Sequence, residues 1–106
     1  MTFTSIAEQP VREVIPGFHG QFVHGDNVTL AHWHIEAGAT LPEHAHPHEQ
    51  ITWVLEGQLA LTVGGETRVV EAGGVAIIPG GIAHSGQALA PCRVVDVFYP
   101  RREDYR

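Results

Sequence analysis

Lysine is absent from this 106-residue chain, whose six basic side chains are all arginine and face twelve acidic ones, for a formal charge of −6. No basic stripe is available to neutralise successive phosphates, so a nucleic-acid partner is not expected. The one cysteine, Cys92, cannot close a disulfide within the chain and fits a reducing compartment. No apolar run nears the roughly 20 residues of a membrane-spanning helix, and the opening MTFTSIAEQP has neither the basic start nor the apolar stretch of a secretory signal. A cytoplasmic protein with no membrane partner is the expectation. The length leaves room for one modest core, because domains run to about 100 to 150 residues, and residues 1–106 are read as one domain.

Long helices are also missing from the pattern. Glycine (12) and proline (7) are abundant and punctuate short alternating or β-branched runs. Strands are expected over Val11–Ile15, Gln21–His24, Val28–Glu36, Gln50–Glu56, Gln58–Val63, Thr67–Glu71, Val75–Ile78 and Cys92–Tyr99. The pair flanking Gly64-Gly65 has the two-residue connection of a tight hairpin. About eight short strands at this spacing predict an all-β sandwich, jelly roll or small barrel. The polar ending Arg101–Arg106 reads equally as a short helical turn or a loose tail.

Histidine is what the chain has in excess. Eight occur, three of them within His44-Ala45-His46-Pro47-His48. In extended backbone the side chains at i and i+2 share a direction, so His44 and His46 can aim two imidazoles at one point. Gln50 opens the next strand with the parity of Thr52 and Val54, opposite to Ile51, Trp53 and Leu55. His84, beyond the turn Pro79-Gly80-Gly81, could bring a third imidazole across a closed barrel. Three ring nitrogens and an amide oxygen would suit one divalent ion, zinc, nickel, iron or manganese, with positions open to a substrate. Glu49 competes as the oxygen ligand, but its strand parity points it away. His48 is spare, and a place behind the ligands or beside the entrance suits it better than ligation.

The spacing of these residues resembles the cupin superfamily. Gly38, five residues, His44, one, His46, three, Gln50, six and Gly57 fit the first cupin motif, over residues 38–57; Gly73, five, Pro79, Gly80, Gly81, two and His84 fit the second, over residues 73–84. Gln50 stands where that family usually has glutamate and Ala88 where it has asparagine. The resemblance implies a double-stranded β-helix, or jelly-roll, barrel. A neutral amide in place of a carboxylate leaves an ion's charge uncompensated by protein, which favours anionic substrates and Lewis-acid work.

One acid interrupts an apolar strand, Asp96 in Val94–Tyr99, where a carboxyl is costly unless paired or used. The motif His-x-His-Pro-His-Glu-Gln together with the ending Asp96-Val97-Phe98-Tyr99-Pro100-Arg101-Arg102-Glu103-Asp104 is similar to the small KdgF cupins of pectin and alginate breakdown. Those are single-domain, metal-binding and generally dimeric barrels that convert 4,5-unsaturated uronate monosaccharides from the cyclic to the linear keto form. The resemblance implies metal ligands His44, His46, Gln50 and His84, and catalytic residues Asp96, Phe98 and Arg102. It implies that Asp96 moves the proton, Phe98 fixes the sugar ring, and Arg102 pairs the substrate carboxylate in fork geometry. Thr52 departs from that family, which carries a glutamine there. A small anionic sugar acid is the expected ligand and a homodimer the expected assembly. Two other readings stay open: a different metal-cupin enzyme such as a dioxygenase, or a non-catalytic binding or sensor cupin. His32 and His34 share a strand face and are candidates for the cavity wall, and Trp53 is expected on the opposite face from the ligands, at a packing or dimer surface.

Overall fold

The computed structural model describes residues 2–106 and is built almost wholly from strands. A 3-10 turn at Ile6–Glu8 leads into β1 (Arg12–Ile15), β2 (Phe18–His24), β3 (Thr29–Ile35), β4 (Thr40–His44), β5 (Glu49–Glu56), β6 (Gln58–Val63), β7 (Glu66–Glu71), β8 (Val75–Ile78), β9 (His84–Ala88) and β10 (Cys92–Tyr99), and a second 3-10 turn, Glu103–Tyr105, ends the chain. They form two antiparallel sheets, one of six strands in the order β1-β2-β3-β10-β5-β8 and one of four in the order β4-β9-β6-β7. This is the jelly-roll barrel expected. Among the described residues no helix is long and apolar enough to cross a membrane.

Alternation with period two decides which side chains enter the barrel. Along β10 the buried positions are Cys92, Val94, Asp96 and Phe98, and along β5 they are Gln50, Thr52 and Val54. The apolar core gathers Phe18, Phe22, Trp33, Ile35, Leu59, Val94 and Phe98 between the sheets, with Phe22 and Trp33 ring centroids 5.4 Å apart edge to face. That geometry is the favoured one for two quadrupolar rings.

Among the described residues ten strands form where the sequence pattern predicts eight, the two additional ones being β4 and β9. Both lie in the smaller sheet, and β4 pairs His44 with His84 of β9. The turn after β8 is tied to the histidine loop: the Gly81 amide donates to the His46 carbonyl at 2.8 Å. A Cβ on Gly80 would sit 2.4 Å from the Pro47 carbonyl oxygen, so only glycine lets the two loops touch. The proline-glycine turn therefore sets the position of the histidine loop as well as delivering His84.

Candidate functional site

His44 stands at the end of β4, His46 in the loop that follows, and His84 at the start of β9, so three separate backbone segments each supply one imidazole. Their candidate ligand atoms lie within 4.8 Å of one another. Each ring is anchored by its Nδ1 to a carbonyl two residues away: His44 to Pro42 at 2.9 Å, His46 to His48 at 3.1 Å and His84 to Ile82 at 2.9 Å. Donation from Nδ1–H fixes the tautomer in which Nε2 carries a lone pair, the form that binds metal. Burial lowers the pKa values of His46 and His84, and the neighbouring positive groups, Arg102 among them, push in the same direction. Both shifts favour the neutral ring at His46 and His84.

Two features of this arrangement call for a cation. Nε2 of His84 is buried with no hydrogen-bond partner, a cost of about 1–3 kcal/mol for an ordinary side chain. Nε2 of His46 lies 3.1 Å from Oε1 of Gln50. The Gln50 amide is oriented by its own Nε2, which donates to Thr52 Oγ1 at 3.0 Å, while the Thr52 hydroxyl donates to Asp96 Oδ1 at 2.7 Å. The oxygen thus turns toward a ring lone pair, a contact that a cation held by His46 and Gln50 would relieve. The donor set of three imidazole nitrogens and one amide oxygen fits a borderline first-row divalent ion.

Gln50 is buried and points inward, as its parity predicts, whereas Glu49 is exposed. His48 stays out of the converging set; its carbonyl orients His46, and its ring lies edge-on to Phe98 with centroids 6.4 Å apart. His32 and His34 project from the outer face of β3. His32 accepts from Arg93 Nη2 at 3.2 Å and approaches Gln21 Oε1 at 3.3 Å, so neither histidine joins the cavity wall. Trp53, 47 % exposed, also faces outward.

Beside the histidines lies a cavity of about 310 Å³ whose wall includes His44, His84, Gln50, Thr52, Asp96 and Arg102. Asp96 is buried and accepts from Trp33 Nε1 at 3.0 Å as well as from Thr52. Burial pushes its pKa up, against the opposing pull of the Thr52, Gln50 and Trp33 donors and the Arg102 charge. Asp96 is therefore a carboxyl whose proton is held more tightly than usual, and the proton donors around it give it a fixed orientation.

Arg102 is also buried, its guanidinium stacked over Phe98 at 4.7 Å and over Tyr105 at 4.2 Å. Its fork is already engaged. Nε and Nη2 donate to the two Asp104 oxygens at 2.9 and 2.6 Å, and among the described residues Nη1 has no hydrogen-bond acceptor. The fork geometry expected for a substrate carboxylate is thus taken by Asp104, leaving one donor for a ligand. Trp33, Asp104 and Tyr105 were not singled out in the sequence. Trp33 was signalled only by sharing parity with Ala31 and Ile35, and Asp104 by its two-residue spacing from Arg102.

Known proteins resemble this chain in sequence and in fold. The family described as Cupin domain matches residues 31–98. An uncharacterised protein of Streptomyces coelicolor is 33 % identical over 85 residues, which cover 79 % of this chain and 81 % of that protein. The structure of KdgF from Halomonas sp. matches with a TM-score of 0.93 and 28 % identity over 100 % of this chain and 99 % of its own. An RmlC-like cupin from Shewanella frigidimarina matches with a TM-score of 0.94 and 24 % identity over 100 % and 96 %.

Proposed function

The chain belongs to the cupin family, and from that premise we propose that it is a metal-dependent enzyme that converts a small 4,5-unsaturated uronate from its cyclic to its linear keto form. The observation that carries this reading is the convergence of His44, His46, His84 and Gln50 beside a buried, proton-retaining carboxyl, Asp96. The similarity to the Halomonas KdgF over the whole chain supports it. A divalent ion held by those four residues would supply Lewis-acid polarisation of substrate oxygens, undiminished by any protein carboxylate.

The remaining work falls to the chain's own groups. Ring opening requires a proton to leave the anomeric hydroxyl, the bond from C1 to the ring oxygen to break, and a proton to arrive at C4 as the enol becomes a ketone. In this reading Asp96 carries that proton, supported by a raised pKa that brings it nearer to the operating pH, where a general acid–base works best. Phe98, buried with His46 edge-on to it at 5.8 Å, supplies a flat wall for the sugar ring. Arg102 offers its free Nη1 to the substrate carboxylate, steadied by Asp104 and Tyr105.

The direct test is to add metal-loaded protein to 4,5-unsaturated galacturonate and follow the ultraviolet absorbance of the conjugated double bond. The expected result is a loss many times faster than in the protein-free control. An unchanged rate would overturn the assignment.

The outer face of the larger sheet supports the proposed homodimer. Ile51 and Trp53 of β5 pair in register with Ile77 and Val75 of β8, and all four are between 42 and 65 % exposed. Val97 of β10, partnered with Ile51, extends this apolar stripe. Contiguous exposed apolar surface of this kind marks an interaction site on a small protein. Trp53→Glu places a charge at its centre and is expected to shift the protein from dimer to monomer in sedimentation velocity; an unaltered sedimentation coefficient would place any interface elsewhere.

A further inference from the structure

The metal-side residues occupy only one end of the cavity. Register shows this in both sheets independently. In the larger sheet, Phe98 pairs with Gln50, Asp96 with Thr52, and Val94 with Val54 on one side and Trp33 on the other; the next inward pair is Cys92 with Ile35. In the smaller sheet, His44 and Val63 flank His84, Leu41 and Leu61 flank Gly86, and Leu59 faces Ala88. Each step of two residues moves roughly 7 Å along a strand. Both walls therefore run from imidazole, amide and carboxyl at one end to aliphatic and aromatic side chains within one or two steps.

The apolar end has little to offer a hydroxyl. The Trp33 N–H is committed to Asp96, and the Thr52 hydroxyl lies between Gln50 and Asp96. At the centre of that end Gly86 contributes no side chain, and a Cβ there would already meet Ala60 O at 3.2 Å and Leu61 Cδ1 at 3.5 Å. The space is thus bounded by Leu41, Leu59, Leu61, Ile35, Val94 and Phe18. Desolvating a hydroxyl against such a wall without a partner is unfavourable, whereas a methylene gains by the move.

We infer that, besides the uronate, the cavity takes amphiphilic acids, whose carboxylate and adjacent oxygen sit at the metal end while an apolar substituent fills the chamber around Gly86. This shares with the proposed function only the metal-side anchor, and it names what occupies the other half of the site. The test is a series of 2-oxo acids of increasing chain length, pyruvate, 2-oxobutanoate, 2-oxopentanoate and 2-oxohexanoate, titrated calorimetrically into the zinc-loaded protein, with gluconate as a hydroxylated control. Each added methylene is expected to tighten binding about three- to fourfold until the chamber is full. Gluconate is expected to bind more weakly than 2-oxohexanoate. Gly86→Ala should cap the gain at a shorter chain, and Leu41→Asn, at the half-buried rim, should flatten the slope along the series.

Affinity that is flat or falling along the series, or gluconate binding better than 2-oxohexanoate, would overturn the inference. So would failure of every member to bind. A rising series without turnover of the unsaturated uronate would uphold the inference and remove the uronate reading. Turnover with a flat series would do the reverse.

Discussion

His84→Ala is expected to lose divalent-metal binding and turnover together, with little effect on the stability of the metal-free protein and a large loss of the stability that metal adds. The argument starts from the buried Nε2 of His84, which has no hydrogen-bond partner although the side chain is only 2 % exposed. Without an ion, that lone pair is a destabilising feature of about 1–3 kcal/mol, so truncation removes a penalty while enlarging an existing cavity, and the two changes oppose each other. With an ion, the same atom contributes a ligand. Removing one is expected to weaken affinity beyond the roughly 10- to 100-fold typical of a group that only orients a ligand. At an ion concentration 1,000 times its dissociation constant, binding stabilises the folded chain by about 4 kcal/mol. For a domain of this length, each kcal/mol moves the melting midpoint by about 4–8 °C.

The wild type should therefore melt roughly 15 °C or more higher when saturated with metal, and His84→Ala should show almost no metal-dependent shift while its metal-free midpoint stays within a few degrees. Calorimetric melts with and without zinc, alongside elemental analysis, read this directly. Full metal occupancy in the variant would show that the three imidazoles do not act as one site. The tautomers fixed by Pro42, His48 and Ile82 make that a demanding test, because all three rings are already set with Nε2 free.

The parts of the molecule that the sequence revealed, and those it hid, divide along a physical line. β6 and β10 were legible because their inward positions are largely apolar, and β5 because Ile51, Trp53 and Leu55 on its outer face alternate with Gln50, Thr52 and Val54. β4 (TLPEH) and β9 (HSGQA) were not, because they carry His44 and His84 in place of apolar residues. A strand whose inward face is imidazole, and whose middle is proline or glycine, has no hydropathic alternation to read. The two histidine-bearing strands were consequently hidden from hydropathy, while motif spacing still located His44 and His84 on them. The inward direction of Gln50 was legible because parity needs only the strand, not its partners. The C-terminal turn was undecidable for a different reason. Its order comes from Tyr105, whose ring packs 4.7 Å from Phe22 and whose carbonyl accepts hydrogen bonds from Arg12 and His24, contacts made to residues more than 80 positions away. The salt bridge between Arg102 and Asp104 is local in sequence, but only burial distinguishes it from a surface pair.

Asp96→Asn is the second large effect expected, and it separates chemistry from binding where His84→Ala removes both. The substitution preserves shape. The Asn carbonyl can still accept from Trp33, and its amide can donate to Thr52 if the hydroxyl reverses, so the fold is expected to lose no more than about 1 kcal/mol. Metal affinity should stay close to that of the wild type, because Asp96 touches the ligand set only through Thr52 and Gln50. Turnover should fall about 10²- to 10⁴-fold, the usual contribution of a positioned general acid–base.

The pH profile gives the sharper reading. Burial raises the Asp96 pKa, so the wild type should show a titration in kcat above the range of an ordinary aspartate, and the residual rate of Asp96→Asn should lack that limb. Because the folded pKa is raised, the neutral carboxyl favours the fold below the ordinary aspartate pKa, and that advantage is lost as pH rises through the raised value. Asn cannot ionise, so over that window the variant should lose less stability than the wild type as pH increases. Full activity in Asp96→Asn would assign proton transfer to another group. A variant with lost activity, wild-type metal content and an unchanged pH limb would make Asp96 a positioning residue for Gln50 instead, acting through the Thr52 hydroxyl.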